Sequence, residues 1–209
     1  MATDPETKRY YETHAEQWAT RKTNSFHHQA QFERFAALLP AGSRVLDIGC
    51  AAGIHVPLFL GIGRHLEYVG IDISESFLAL ARSRYPHLPF RNGDILDRDT
   101  LPEGTFTGFW AGAVLMHVPL AQWPTMFAHI ETMMLPGAIG YLTLPVAHPS
   151  GAAAPQDPRQ FTLLSEDEQR TQLQDRSWEI LASGTLDGFT TEAVWRWYIV
   201  RLPEKKPMT

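Results

Sequence analysis

Apolar residues along the chain recur with two different spacings, and segments of the two kinds alternate. Helical spacing predicts one helix from Asp4-Pro5, an N-cap followed by a residue suited to the first helical position, and a second over residues 25–39. Short apolar runs between turn residues predict strands. These runs lie at residues 44–48, 67–71, just before Asp94, 106–111, 138–144, 178–186 and 194–202.

Helical segments separate most of these strands. Such alternation is typical of an α/β domain with a mostly parallel sheet and helices on both faces. The last two strands, joined by a turn around Asp187-Gly188, would add an antiparallel edge. We expect a single domain over residues 1–209, with an N-terminal helical cap at residues 1–40 and a core at residues 41–202. The proline-rich stretch 145–160 predicts a lid or binding loop.

Composition narrows the class of protein. The hydrophobic and charged fractions, 44% and 20%, are typical of a globular domain. A net charge of −5 without a long basic run argues against a nucleic-acid partner. No apolar run reaches the roughly 20 residues of a membrane helix, and the polar first residues do not resemble a signal peptide. A single cysteine, Cys50, excludes an internal disulfide and a multi-cysteine zinc site. We therefore expect a cytoplasmic protein with no metal site and no membrane partner.

The stretch from residue 44 to residue 55 is unlike an ordinary strand and loop. A buried apolar strand leads directly into the small residues from Gly49 to Gly53, and then into a helix. Small residues let a ligand lie against the backbone, and open α/β sheets bind ligands at the carboxyl ends of their strands. The stretch lacks the G-x-G-x-x-G of dinucleotide-binding proteins and the Lys-Ser/Thr of a phosphate loop.

Residues 47–53, Asp-Ile-Gly-Cys-Ala-Ala-Gly, resemble the first motif of class I S-adenosylmethionine-dependent methyltransferases, D-x-G-x-G-x-G. Ala51 stands where the family has its middle glycine. The resemblance implies S-adenosyl-L-methionine as cofactor and a Rossmann-like sheet of seven strands in the order 3-2-1-4-5-7-6, with strand 7 antiparallel. It also implies that this motif supplies cofactor-binding residues: Asp47, Gly49, Cys50, Ala51 and Gly53.

Acidic residues after the next two strands fit the same cofactor. Asp72 follows the second strand, about 20 residues beyond the glycine turn, where one carboxylate can accept hydrogen bonds from both ribose hydroxyls. Residues 92–95 resemble the family motif whose acid accepts from the adenine amino group and whose next residue packs on the ring, although Asn-Gly-Asp also favours a β-turn. The cofactor-binding residues predicted here are Asp72, Ile73, Asp94 and Ile95.

Residues 106–119 resemble the fourth motif of the family more loosely. Thr107 stands where many members have an acid. On this resemblance, the small residues Ala111 and Gly112 let the methionine part of the cofactor lie close, and His117 points into the site.

The N-terminal segment 10–18 resembles the Y-x-x-x-A-x-x-[YW] segment that covers the cofactor in small-molecule members of the family. Tyr11 and Trp18 lie on one face of the predicted helix. The resemblance implies that both bind the cofactor, and core packing of the same face is an equally good interpretation.

Candidates for the chemistry and the acceptor lie after the later strands. Histidine suits general-base catalysis near neutral pH, and both His117 and His148 follow strands at the carboxyl edge. We take His117 as the candidate base and His148 as a candidate substrate contact, with an exposed or structural role as the alternative for each. Trp110 is a candidate apolar or cation–π wall for the substrate.

The sequence therefore predicts methyl transfer from S-adenosylmethionine to an O or N nucleophile of a small-molecule metabolite. The alternative is a protein of the same fold that binds the cofactor without turnover or acts with a partner. A nicotinamide-dependent dehydrogenase is disfavoured because G-x-G-x-x-G is missing. The oligomeric state is left open.

Overall fold

The structure is a computed structural model that describes residues 3–21, 28–146, 158–186 and 194–204. The helices are α1 (Pro5–Arg21), α2 (Gln29–Ala37), α3 (Val56–Gly61), α4 (Glu75–Arg84), α5 (Trp123–Met133) and α6 (Glu166–Gln174). The strands are β1 (Arg44–Ile48), β2 (Glu67–Asp72), β3 (Phe90–Asn92), β4 (Phe106–Ala111), β5 (Met134–Pro145), β6 (Glu179–Leu186) and β7 (Trp195–Arg201).

The strands form one sheet in the order β3-β2-β1-β4-β5-β7-β6. β1 pairs in parallel with β2 and β4, and β7 runs antiparallel to both of its neighbours. The predicted α/β class, strand order and antiparallel strand are confirmed. Because consecutive βα units place the carboxyl ends of β1, β2, β3 and β4 along one edge, the loops that follow these strands converge there.

Side chains at the helix starts explain where the helices begin. Asp4 accepts a hydrogen bond from the backbone N–H of Thr7, at 2.8 Å, so the predicted start of α1 is confirmed. Ser74 caps α4 by accepting from the N–H of Phe77. Ser165 and Glu168 form a capping box at the start of α6. Each cap satisfies an N–H that would otherwise lack a partner.

The transition from α5 to β5 differs from the sequence expectation. The sequence predicts this strand over residues 138–144, yet β5 begins at Met134, directly after α5, and includes Leu135-Pro136-Gly137. Gly137 has φ +73°, and the β4–β5 pairing shifts register between Phe106 and Gly108. The proline is therefore accommodated at an irregular strand start, where a missing ladder hydrogen bond is tolerated.

Aromatic side chains fill the core between the sheet and its helices. Trp123 and Phe127 of α5 lie in edge-on contact, and Phe127 also meets Trp178. On α2, Phe32 and Phe35 are fully buried against β4. A wide, rigid apolar core of this kind fixes the strand ends that form the site.

Helix α1 docks against α4 and thereby covers the strand ends. The carboxylate of Glu12 accepts from the backbone N–H groups of Glu75 (2.8 Å) and Ser76 (3.0 Å), at the N-terminus of α4. Burial raises the pKa of Glu12, but these hydrogen bonds outweigh it, so the pKa lies below its usual value. Ala15 and Ala19 pack beneath the helix. One carboxylate of α1 therefore caps a neighbouring helix and holds α1 in place.

In the part of the chain that the structure describes, no helix has both the length and the apolar character needed to span a bilayer.

We expect Glu12→Ala to loosen α1 without unfolding the core, because two helix N–H groups lose their acceptor. The cost should be about 1 kcal/mol, visible as faster amide hydrogen exchange within residues 5–21. The matched control is Glu16→Ala, an exposed residue of the same helix. Equal exchange rates in the two variants would contradict the docking role of Glu12.

Candidate active site

A cleft lies at the carboxyl ends of the parallel strands, beneath α1. With the solvent at its mouth it has a volume of about 910 Å³, within the usual range for sites that bind cofactors and small ligands. The residues that line it come from the N-terminal segment and from the turns after β1, β2, β3 and β4. Among them are Thr3, Thr7, Tyr11, Trp18, Gly49, Ala51, Asp72, Ile73, Phe77, Ile95, Gly112 and His117.

The glycine turn after β1 is held tightly against β2. The N–H groups of Gly49 and Cys50 both donate to the carbonyl oxygen of Ile71, at 2.8 and 3.0 Å. Gly49 has φ +69°, and a Cβ added there would lie 2.4 Å from a methyl carbon of Val114. A side chain is therefore excluded at this point, and the backbone itself forms the wall of the cleft.

Ala51 replaces the expected middle glycine without changing the turn. It has φ +47°, a left-handed conformation that costs alanine roughly 1–2 kcal/mol. Its N–H donates to Oδ2 of Asp72 at 2.9 Å. The turn thus keeps its glycine-like backbone because a charge-assisted hydrogen bond holds it.

Asp72 is fixed between two loops and lines the cleft. Besides the bond from Ala51, its Oδ1 accepts from the N–H of Ser74 at 2.9 Å. Burial raises the pKa of Asp72 to about 6, and the charges of Asp47 and Glu12 act in the same direction, while the two N–H donors oppose them. Each oxygen has a further lone pair for a ligand hydroxyl.

Asp94 and Ile95 take different positions after β3. Ile95 is buried and lines the cleft together with Gly93. The carboxylate of Asp94 accepts from the N–H and the hydroxyl of Thr3, at 2.6 and 2.7 Å, and from the N–H of Leu96 at 2.9 Å. The N-terminal segment therefore contacts the carboxylate that was predicted to bind adenine.

His117 is part of a hydrogen-bonded network at the opposite side of the cleft. Its Nδ1 lies 2.7 Å from the carbonyl oxygen of Gln160, and its Nε2 lies 2.7 Å from the hydroxyl of Tyr11. A carbonyl only accepts, so Nδ1 carries a proton, and in the neutral ring Nε2 then accepts from Tyr11. Arg159 donates to the same Tyr11 oxygen at 3.0 Å. This neutral tautomer uses both ring nitrogens of His117.

Comparison with known proteins agrees with this geometry. A model of the methyltransferase-domain family matches residues 45–137, which include the glycine turn, Asp72 and His117. Residues 45–137, less than half of the chain, are therefore similar to methyltransferase domains. The match ends near the start of β5, so α1, α2 and the strands β6 and β7 lie outside it.

Curated relatives of the methyltransferase domain act on different molecules. The chain is 30% identical over 114 residues to trans-aconitate 2-methyltransferase of Acidovorax sp. (strain JS42), covering 51% of this chain and 40% of that protein. It is 31% identical over 122 residues to 2-phytyl-1,4-naphtoquinone methyltransferase of Thermosynechococcus vestitus, covering 56% and 52%. The chain thus spans about half the length of these relatives or less.

Solved structures share the fold of the methyltransferase domain at low sequence identity. Magnesium protoporphyrin IX methyltransferase from Synechocystis PCC 6803, with bound S-adenosylhomocysteine, superposes with a TM-score of 0.70 at 18% identity, covering 93% of this chain and 97% of that one. The [4+2]-cyclase SpnF superposes with a TM-score of 0.65 at 17% identity, covering 84% and 80%. The fold is therefore shared by proteins whose names describe different reactions.

Other predicted cofactor residues lie behind the cleft wall of the methyltransferase domain. The fully buried carboxylate of Asp47 accepts from the hydroxyl of Tyr68 at 2.9 Å and lies 3.5 Å from Nδ1 of His55. Cys50 is also buried, and burial raises the pKa of its thiol well above the usual value. Four predicted cofactor residues do not line the cleft and so support its wall from behind: Asp47, Cys50, Gly53 and Ala111.

Trp110 lies inside the core, which differs from its predicted place at the substrate. It is fully buried, stacked on Tyr141 at 3.7 Å between ring centroids and flanked by Phe32 and Phe35. Its position in β4 points it to the face that α2 covers, away from the cleft. The other predicted substrate residue, His148, lies outside the described residues.

Several residues at the cleft were not singled out from the sequence. Thr3 and Thr7 line it, and Arg159 contacts its wall. The proline-rich stretch 145–160, predicted as a binding loop, was the one signal for Arg159. Among the described residues, no group of three or more histidine, cysteine or acidic side chains is placed to hold a metal.

We expect replacement of Gly49 to destabilise the fold more than replacement of Ala51. Gly49→Ala should destabilise the fold by about 1–3 kcal/mol, because its methyl group meets Val114. Ala51→Gly relieves a left-handed alanine and should change the free energy of unfolding by less than about 1 kcal/mol. Denaturant unfolding measures both, and a larger loss in Ala51→Gly than in Gly49→Ala would refute this account of the turn.

Proposed function

We propose that this protein transfers the methyl group of S-adenosylmethionine to an oxygen or nitrogen nucleophile of a small-molecule metabolite. The observation that carries the proposal is the clamped carboxylate of Asp72. It lines a cleft at the ends of β1 and β2, and its two N–H donors come from the glycine turn and from the start of α4. A fixed, partly satisfied acceptor beside a bare backbone wall suits the paired hydroxyls of a ribose.

The residues of the cleft fit the remaining parts of the cofactor. Ile73 and Ile95 offer apolar surface to the adenine ring, and the backbone at Gly49 leaves room for the amino-acid part. A Cβ at Gly112 would lie 2.8 Å from the ring of His55, so this wall also presents bare backbone. The adenine amino group reaches Asp94 only by sharing its carboxylate with Thr3 or replacing Thr3.

When bound, the cofactor supplies a methyl group on a positively charged sulfur, which is already activated. The chain then has to orient the acceptor and exclude water. Tyr11, Trp18 and Phe77 form an aromatic cover on the cleft. Because α1 is held on α4 by Glu12, this cover is in place above the strand ends.

His117 supports two roles that differ in their use of Nε2. As a general base it takes a proton at Nε2 only after the hydroxyl of Tyr11 turns away. As a positioning residue it keeps Tyr11 in place and needs no proton transfer. The fixed contact of Nδ1 with Gln160 is compatible with both roles.

A small-molecule acceptor suits the size of the covered cleft and agrees with the names of the relatives. Trans-aconitate and a naphthoquinone are both metabolites. The net charge of −5 does not favour a nucleic-acid acceptor.

A cofactor-binding protein without methyl transfer is the second candidate, favoured by the engaged nitrogens of His117 and by the likeness to a [4+2]-cyclase. Calorimetric titration with S-adenosylhomocysteine and with NAD identifies the cofactor. Incubation of a metabolite extract with radiolabelled S-adenosylmethionine then separates the two candidates. Label in a small molecule supports transfer, whereas tight binding without label supports the alternative.

We expect Asp72→Ala to weaken the binding of S-adenosylhomocysteine by roughly 1–3 kcal/mol, because charge-assisted hydrogen bonds are lost. Calorimetry on the folded variant measures the change. Asp99→Ala, which removes an exposed carboxylate, is the control and should bind as the unmodified protein does. Unchanged affinity in Asp72→Ala would contradict the ribose role.

The same residue makes binding depend on pH. The pKa of Asp72, about 6, is above its usual value, so the folded protein takes up a proton there more readily than the unfolded chain. Stability from this group therefore falls as the pH rises from about 4 to about 6. Affinity for the nucleoside has the opposite trend, because only the carboxylate accepts two hydroxyls, and should increase through pH 6 and then level off. Asp72→Asn should abolish that increase.

A further inference from the structure

We infer, on the basis of the proposed function, that the methyl acceptor is a carboxylic acid and that Arg159 binds it. Arg159 precedes α6 and lies on the far side of the cleft from Asp72. Asp72 follows β2 and His117 follows β4, and β1 lies between these strands. Arg159 reaches the His117 side through Tyr11, whose hydroxyl accepts from its Nη1 at 3.0 Å.

Aromatic rings fix the position of the guanidinium. Its Cζ lies 4.9 Å from the ring centroid of Tyr10, 5.2 Å from that of Trp18 and 4.9 Å from that of Phe161. Trp18 and Tyr11 line the cleft, so the cation is next to the cavity wall. A guanidinium held among rings is weakly hydrated and pre-oriented, and its planar set of five N–H donors matches a carboxylate.

The charges around the cleft favour an acid over an amine. Among its described lining residues, only Asp72 is an acid or a permanent cation, and the proposed function assigns it to the ribose. On the other side, among the described residues, the guanidinium of Arg159 contacts the cleft wall through Tyr11, and the carboxylate of Asp4 is bonded to Thr7. A guanidinium attracts an anionic acceptor and repels a protonated amine.

A carboxylate acceptor is also compatible with the two hydrogen bonds that His117 makes. A carboxylic acid is already ionised at neutral pH, so the transfer needs no base, and His117 keeps both of its hydrogen bonds. A lone pair of the carboxylate oxygen forms the new C–O bond, and the C–S bond breaks with its electrons going to sulfur. The products are a methyl ester and a neutral thioether, and no proton is released. A phenol or an alcohol, in contrast, has a proton to lose.

The test uses the full chain with radiolabelled S-adenosylmethionine and two sources of acceptor: the acidic fraction of a metabolite extract, and a panel of benzoate, succinate and trans-aconitate. Methyl esters release labelled methanol in mild base, whereas ethers and methylamines do not. We expect most of the incorporated label to be base-labile. Label confined to base-stable products overturns the inference but leaves the proposed function intact. Absence of label from every acid also overturns the inference.

Variants connect the acid to Arg159. For an acid that is methylated, Arg159→Gln should raise KM about ten- to hundredfold, the range for one lost charge-assisted contact, with a smaller change in kcat. Arg159→Lys keeps the charge and should recover part of the loss. Calorimetric titration of the S-adenosylhomocysteine complex with the same acid should show a parallel rise in Kd.

Two controls separate this role from a structural one. Arg9→Gln removes an exposed arginine of α1, which pairs with Glu6, and should leave KM unchanged. Affinity for S-adenosylhomocysteine should stay within about twofold in Arg159→Gln, because the proposed function places the nucleoside against Asp72 and not against Arg159. Equal KM values for Arg159→Gln and the unmodified protein would overturn the inference. If S-adenosylhomocysteine does not bind the unmodified protein, it is the proposed function that fails.

Discussion

The hydrogen bonds from the backbone of Ala51 and Ser74 to the carboxylate of Asp72 tie the two halves of the site together. One donor belongs to the turn after β1 and the other to the start of α4. The turn contains an alanine in a left-handed conformation, which is unfavourable unless such a contact holds it. Burial raises the pKa of this carboxylate to about 6, and the same N–H contacts that shape the turn oppose the rise. The contacts that fix the position of the acceptor therefore also favour its charged form.

The cover over the cleft depends on similar contacts made at longer range. The carboxylate of Glu12 accepts from backbone N–H groups at the N-terminus of α4, and Thr3 donates to the carboxylate of Asp94. Both contacts join an acidic group to backbone N–H donors, and they act together with the packing of Ala15 and Ala19 to hold α1 over the strand ends. A ligand that bound Asp94 would compete with Thr3, so the N-terminal segment and the loop after β3 are energetically linked.

The parts of this structure that could be predicted from the sequence are those with local signals. Strand order followed from a motif resemblance, and the cap at Asp4 followed from residue type and position. Trp110 was placed wrongly because a strand covered on both faces is apolar throughout, so its pattern does not show which face meets α2. The contact between Arg159 and Tyr11 joins residues 148 positions apart, and no local pattern records such a distance.

The network at His117 shows how the neighbours of a histidine can fix its orientation within a site. A carbonyl at Nδ1 fixes the tautomer, and a hydroxyl at Nε2 then serves as donor to the ring and acceptor from Arg159. Each member of this chain orients the next, from the backbone at Gln160 to the guanidinium. If the ring were protonated, Nε2 would become a donor and could no longer accept from Tyr11. The hydrogen bond from Tyr11 to Nε2 therefore requires a neutral ring, and a carboxylate acceptor, as proposed above, would transfer no proton to it.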